Sequence, residues 1–235
     1  MCEQCETTAT KAWGRETLRR LWGVISNVFD RRTRVPRIQD RAYRRYLNHY
    51  ARRADELAKQ LANGDIDLQA WRNGMADEIS SLHLTADISG AGGLSNYTQA
   101  DMQRVQRKVD EQLSYLDNWT NELRNMDEYN PDAIRSRAML YGGNATSTVQ
   151  NAYTQALGIG DLPAYPGDGT TQCLTNCKCA WKPVKLPGEG NWDVYWDLGI
   201  AEHCPTCKAR EAAWNPLQIR GGVIVTNTTS PSLWR

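Results

Sequence analysis

The sequence predicts a mainly α-helical protein, a multi-helix N-terminal body followed by a small β-hairpin module able to bind zinc. Three observations carry that reading. Apolar residues recur at helical spacing through the first two-thirds of the chain. The pattern breaks at a proline- and glycine-rich stretch after Gly160. Five of the seven cysteines and five of the nine tryptophans lie beyond that break. The 235 residues therefore divide into a basic helix and linker (1–39), a helical body (40–160) and a cysteine- and tryptophan-rich module (161–235).

The first helix is expected over 11–29, where Leu18, Leu21, Trp22, Ile25 and Phe29 share a face. Residues 30–39, with Pro36 among several arginines, read as an extended basic linker. Asp40 can cap a second helix, and the apolar positions Tyr43, Leu47, Tyr50, Ala54, Leu57 and Leu61 form its seam. Asn63-Gly64 supplies the stop. Asp67 opens a third helix through Leu68, Trp71, Met75, Ile79 and Leu82. The turn at 89–93 is glycine-rich but lacks the Lys-Ser/Thr pair of a phosphate loop. Thr98 caps the longest helix, to about Arg124, with Met102, Val105, Val109, Leu116, Trp119 and Leu123 inward. Asn130-Pro131 starts another, running to about Gly158 with an interruption expected at Gly142-Gly143.

Beyond Gly160, the segment Leu162 to Gly169 cannot be helical and reads as an ordered linker or docking loop. Two strands follow, Cys179 to Leu186 and Asn191 to Leu198, around the turn at Pro187-Gly188-Glu189-Gly190. A symmetric hairpin sets Trp181 opposite Trp196 and Cys179 opposite Leu198. A further strand is expected over 222–226.

That hairpin brings two cysteine clusters together: Cys173, Cys177 and Cys179 before it, and His203-Cys204-Pro205-Thr206-Cys207 after it. Converging thiolates are what a tetrahedral structural zinc requires. The expected ligands are Cys177, Cys179, Cys204 and Cys207, with Cys173 as first substitute and His203 behind it. The competing readings are disulfides or buried reduced thiols. Without a basic region leading into an apolar run at the N-terminus, a secretory signal is not expected, and thiols and metal are favoured over disulfides. Cys2 and Cys5 form a lone pair to which no metal is assigned. A catalytic zinc needs an acid/base neighbour. The three histidines, His49, His83 and His203, sit in separate segments and match no hydrolase motif, so no enzyme is expected. His83, between Leu82 and Leu84, reads as a core or interhelical hydrogen-bonding residue.

Charge is distributed unevenly. Residues 1–53 hold thirteen Lys/Arg against five Asp/Glu, a net +8, although the whole chain is only +1. Arg31, Arg32, Arg34, Arg37, Arg41, Arg44, Arg45, Arg52 and Arg53 are the candidate contacts to nucleic acid or an acidic partner, weighed against a merely solvated face. No stretch reaches the ~18 apolar residues needed to span a bilayer, so no membrane is expected.

The string from Leu162-Pro-Ala-Tyr-Pro-Gly-Asp-Gly through Cys173, Cys177 and Cys179 to Trp181 resembles the C-terminal signature of phage head-morphogenesis proteins, the Mu F-like minor head proteins. The segment Trp196 to Cys207 followed by Trp214-Asn215-Pro216 is similar too. So are Gly64 to Trp71 with Met75, Ile79 and His83, the turn at 90–93, and Gln112 to Leu116. The resemblance spans about residues 40–220. It implies a minor capsid protein in the virion, present in multiple copies. Such a protein is made in the host cytoplasm and associates with the portal or the major capsid protein during head assembly and DNA packaging. A second reading is a nucleic-acid-binding protein contacting packaged DNA through the arginines. A third, a zinc hydrolase or nuclease, lacks acid/base groups.

Overall fold

The computed structural model describes residues 38–225. The expected first helix, Arg31, Arg32, Arg34 and Arg37, and the Cys2/Cys5 pair lie outside the described residues. Within them the protein is mainly α-helical, with a small antiparallel sheet and a cysteine cluster at its C-terminal end.

Four long helices make the body: α1 (Asp40–Ala62), α2 (Leu68–Gly90), α3 (Gln99–Arg124) and α4 (Pro131–Ala156). Their limits follow local chemistry. The Asp67 carboxylate accepts the Ala70 N–H at 2.6 Å. Thr98 and Asp101 close a reciprocal capping box on α3. The Asn130 side chain accepts from Asp132 and Ala133 ahead of Pro131 at the first helical position. Gly64, at φ +76°, takes the left-handed conformation that ends α1. Asp40 does not cap α1: Gln39 holds that position without a side-chain bond, because its amide is drawn across to the Gly92 carbonyl at 3.0 Å. Asp40 instead pairs with Arg44 at 2.9 Å.

Helix α2 packs against all three others. Its buried residues therefore run around most of its circumference, from Trp71, Met75, Ile79 and Leu82 to Ala76, Leu84 and Ala86. Trp71 meets the edge of Trp119 at 4.9 Å, and Tyr50 donates to the Ala138 carbonyl at 2.7 Å, tying α1 to α4. His83 is wholly buried and hydrogen-bonds Thr148 Oγ1 at 2.8 Å, linking α2 to α4; burial drives its pKa down to about 3. A second buried link is polar. Arg104 grips Asp87 at 2.8 Å and Asp101 at 2.7 Å, while Tyr97 donates to Asp87 at 2.7 Å.

Helix α4 is uninterrupted at Gly142-Gly143, against expectation, and the reason is close packing. A Cβ at Gly142 would meet Leu47 at 3.2 Å, and one at Gly143 would meet the Thr175 carbonyl at 2.5 Å. These glycines let α1 and the cysteine-bearing segment approach the helix. The glycine turn at the end of α2 follows the same logic, since a Cβ on Gly90 would lie 2.3 Å from the Val149 carbonyl. No helix among the described residues is long and apolar enough to cross a membrane.

The remaining strands and helix are β1 (Ala180–Lys185), β2 (Trp192–Asp197), α5 (Pro205–Trp214), β3 (Leu217–Arg220) and β4 (Val223–Val225). The sheet is an antiparallel meander in the order β1-β2-β3-β4. Trp181 pairs with Trp196, the register the symmetric hairpin requires. The hairpin is thus half of a four-stranded sheet. Buried apolar residues fall into two clusters, one across the four helices ending at Ala156 and one from Ile159 through the sheet.

Candidate metal centre

Two segments deliver the sulfurs. A strap over 158–172 leaves α4 and folds back on it: Ile159, Leu162, Ala164 and Tyr165 are buried, and the Tyr165 hydroxyl bonds Thr154 at 3.1 Å. The segment read as an ordered linker or docking loop is in contact with the body. Its end carries Cys173 into a short 3₁₀ turn, Leu174–Asn176, that places Cys177 and Cys179 immediately before β1. Strand β1 is fixed to the body where the Trp181 N–H meets the Gln150 side-chain carbonyl at 3.0 Å, and the Trp181 indole donates to the Ala164 carbonyl at 2.8 Å.

The second half of the cluster comes from α5. Cys204 is its N-cap residue, Pro205 its first residue, and Cys207 lies in its first turn. The segment Cys204-Pro205-Thr206-Cys207 is therefore a helix start. That placement suits thiolates, because free N–H groups and the positive end of the helix dipole face them.

The sulfurs are in contact. Cys207 Sγ lies 3.6 Å from Cys177 Sγ and 3.7 Å from Cys173 Sγ, and Cys173 Sγ is 3.7 Å from Cys204 Sγ. Zinc–sulfur bonds of about 2.3 Å at tetrahedral angles set sulfurs about 3.8 Å apart. All five cysteines are free. Cys177, Cys179 and Cys207 are buried, Cys173 and Cys204 half-buried. The cluster can hold a metal ion.

Its electrostatics favour partial ionisation even before a cation arrives. Hydrogen bonding from the Cys179 thiol, helped by the Cys179 N–H and opposed by burial, brings Cys177 down to about 5. At Cys204 burial pushes upward, but N–H groups of Cys207 and Cys173 outweigh it and bring the thiol down to about 7. The hydrogen bond that Cys179 gives to Cys177, together with burial and the charge on Cys177, raises Cys179, and burial raises Cys207 and Cys173. The result is thiolates beside thiols, which a cation can deprotonate in full.

Three tryptophans in the same buried cluster as the sulfurs form a cage. Trp181 meets Trp196 edge-on at 5.0 Å and stacks on Trp214 at 5.6 Å, and Trp196 and Trp214 are 5.7 Å apart. Arg210 covers both Trp196 and Trp214, at 5.3 and 5.4 Å, while donating to Thr170 Oγ1 at 2.8 Å. The Asn215 side chain holds the backbone of Trp196, accepting its N–H at 2.6 Å and donating to its carbonyl at 3.3 Å. Aromatic rings and cysteine sulfur share this core with Ile159, Leu162, Val194, Leu217 and Ile219.

The structure brings all six expected ligand candidates into one neighbourhood. Cys173, ranked as a substitute, touches both Cys204 and Cys207, so it is as well placed as the four ranked above it. His203 approaches through Nδ1, 3.7 Å from Cys179 Sγ. Sequence reasoning missed Gln150 and Arg210 and named Asn215 only within the resembling string, although all three position the site without belonging to it. Only the Pro205 helix-start signal was readable in advance for α5.

The candidate arginines within the described residues divide into two groups. Arg44 pairs with Asp40, and Arg53 with Glu56 and Glu78. Arg41, Arg45 and Arg52 are exposed and have no ion pair among the described residues. Four and eleven residues apart, these three line one stripe of α1, within about 40° around its axis. Comparison with protein-family models, with curated proteins and with solved structures returns no match.

Proposed function

We propose that the protein is a structural component of a phage head, a minor capsid or head-morphogenesis protein whose C-terminal module is stapled by structural zinc. One observation carries the reading: the residues that resemble the Mu F-like minor head signature coincide with one folded unit. Leu162 to Gly169 form the strap on α4, Cys173 to Cys179 and Cys204 to Cys207 the sulfur cluster, and Trp181, Trp196, Trp214 and Asn215 the tryptophan cage. A signature that describes a metal-held fold, rather than a pocket with a nucleophile and base, suits an assembly role. Zinc is the metal because clustered cysteine sulfurs at about 3.7 Å suit a tetrahedral, redox-inert ion. The helical body would pack on portal or capsid subunits. The experiment is quantitative composition of purified virions: several copies per particle are expected, and absence from mature particles would overturn the placement.

A second reading, contact with packaged DNA, is favoured by the stripe of Arg41, Arg45 and Arg52. Phosphate contacts weaken steeply as salt rises, whereas an apolar protein interface does not. Retention on DNA that falls with salt supports it; no retention at low salt removes it.

A further inference from the structure

The five thiols exceed the four positions of one tetrahedral ion, and they are not arranged as four with one to spare. They form two triads, Cys173, Cys204, Cys207 and Cys177, Cys179, Cys207, each with its sulfurs within 4.8 Å of one another and sharing Cys207 alone. Contacts of 3.6 and 3.7 Å connect Cys207 to a member of each triad. Outside the inner triad, but against one of its members, lies a further donor. His203 Nδ1 is 3.7 Å from Cys179 Sγ, and its Nε2 is buried without a hydrogen-bond partner. The outer triad has its two half-buried members, Cys173 and Cys204, on the side open to solvent.

We propose that the cluster holds two divalent ions of the zinc class, bridged by the Cys207 thiolate. The inner ion takes Cys177, Cys179, Cys207 and His203. The outer ion takes Cys173, Cys204 and Cys207, with water or a small anion on its solvent side. This rests on the reading that the thiols bind metal at all. On binding, the thiols still protonated release their protons to solvent, which leaves five thiolates, and no electron is transferred. Formal charge favours the arrangement: two divalent ions with five thiolates leave one net negative charge, whereas one ion with four thiolates leaves two and strands a thiol among them. Cys207 suits the bridge because it lies in the first turn of α5, where helix N–H groups and the dipole stabilise a shared thiolate.

The test is metal analysis of the full, reduced chain together with titration by cobalt(II). Two zinc ions per chain are expected. The second cobalt equivalent should weaken the paramagnetism of the first through the shared sulfur. One ion per chain would overturn the two-ion site and leave the metal reading standing; none would overturn both. Cys173→Ser touches only the outer ion, so the variant should retain one ion and its helical signal. Retention of two, or loss of both, would contradict the assignment.

Discussion

The helical body and the C-terminal module solve the same problem with different means. The body buries long apolar seams: Tyr50, Trp71, Met75, Ile79, Leu82, Val105 and Leu116 are fully enclosed, and ordinary burial at about 25 cal/mol per Å² supports four helices of more than twenty residues. The module has short strands, a ten-residue helix and a smaller set of buried apolar residues. It compensates with three interlocked tryptophans and a sulfur cluster that joins chain segments about thirty residues apart. The body should therefore stand without metal, and the module should not.

The largest expected effect comes from removing the metal. A structural zinc in a small domain contributes on the order of 10 kcal/mol. A strong chelator with a reductant should abolish the near-ultraviolet signal of the tryptophan cage while most far-ultraviolet helical signal persists. Loss of all helical signal would show that strap and body form one cooperative unit.

Next are the tryptophans, one from each region. Trp196→Ala and Trp71→Ala each empty a fully buried site and should each cost about 3–5 kcal/mol. Only Trp196→Ala should also weaken metal affinity, measured by competition with a chelating dye. Equal effects on metal would dissolve the distinction between the two cores.

His83 gives the body an acid sensitivity of its own. Its pKa is about 3 when folded against an ordinary 6.5, because burial disfavours the charged ring. Above pH 6.5 both states are neutral and nothing is lost. Between 6.5 and 3 only the unfolded chain takes the proton, so stability falls as pH falls, by up to about 1.4 kcal/mol per pH unit. His83→Gln should flatten that slope in denaturant titrations from pH 6.5 to 4.5. An unchanged slope would mean that other groups set it.

Glycine substitutions sharpen the packing account. Gly90→Ala forces a methyl against the Val149 carbonyl and should destabilise by about 1–3 kcal/mol. Gly74→Ala meets only the Leu57 side chain, at 2.9 Å, and gains up to about 1 kcal/mol of helix propensity, so its net effect should be near zero. Thermal melts of the two variants separate backbone contact from side-chain contact.

These cases also show what was legible in the sequence. Helices α1 to α4 were readable because each has a long apolar seam, and α2 to α4 because their caps use unambiguous side chains such as Asp67, Thr98 and Asn130. The hairpin register was readable from its tryptophans. Helix α5 and strand β3 were not, because ten and four residues are too few for periodicity to emerge. Gly142-Gly143 misled because a glycine pair looks like a break when the neighbour that needs the space is distant in sequence. The sulfur neighbourhood was legible from spacing; the equal standing of Cys173 required its contacts with Cys204 and Cys207.

The smallest effect on stability should come from Arg41, Arg45 and Arg52. Replacing all three by Gln leaves helix propensity nearly unchanged and should shift stability by no more than about 0.5 kcal/mol. If the stripe faces DNA, the logarithmic salt dependence of binding should lose about one unit per arginine, measured by fluorescence anisotropy. An unchanged slope would leave a solvated face.

The claim that metal, not disulfide, holds the module is tested most directly by counting metal and thiols in the same sample. Protein purified without added metal would be analysed for zinc, then alkylated before and after chelation and examined by mass spectrometry. The account predicts bound zinc, with Cys173, Cys177, Cys179, Cys204 and Cys207 protected from alkylation until the chelator is added. Protein free of metal with these cysteines linked in disulfides, or alkylated equally with and without chelator, would contradict it.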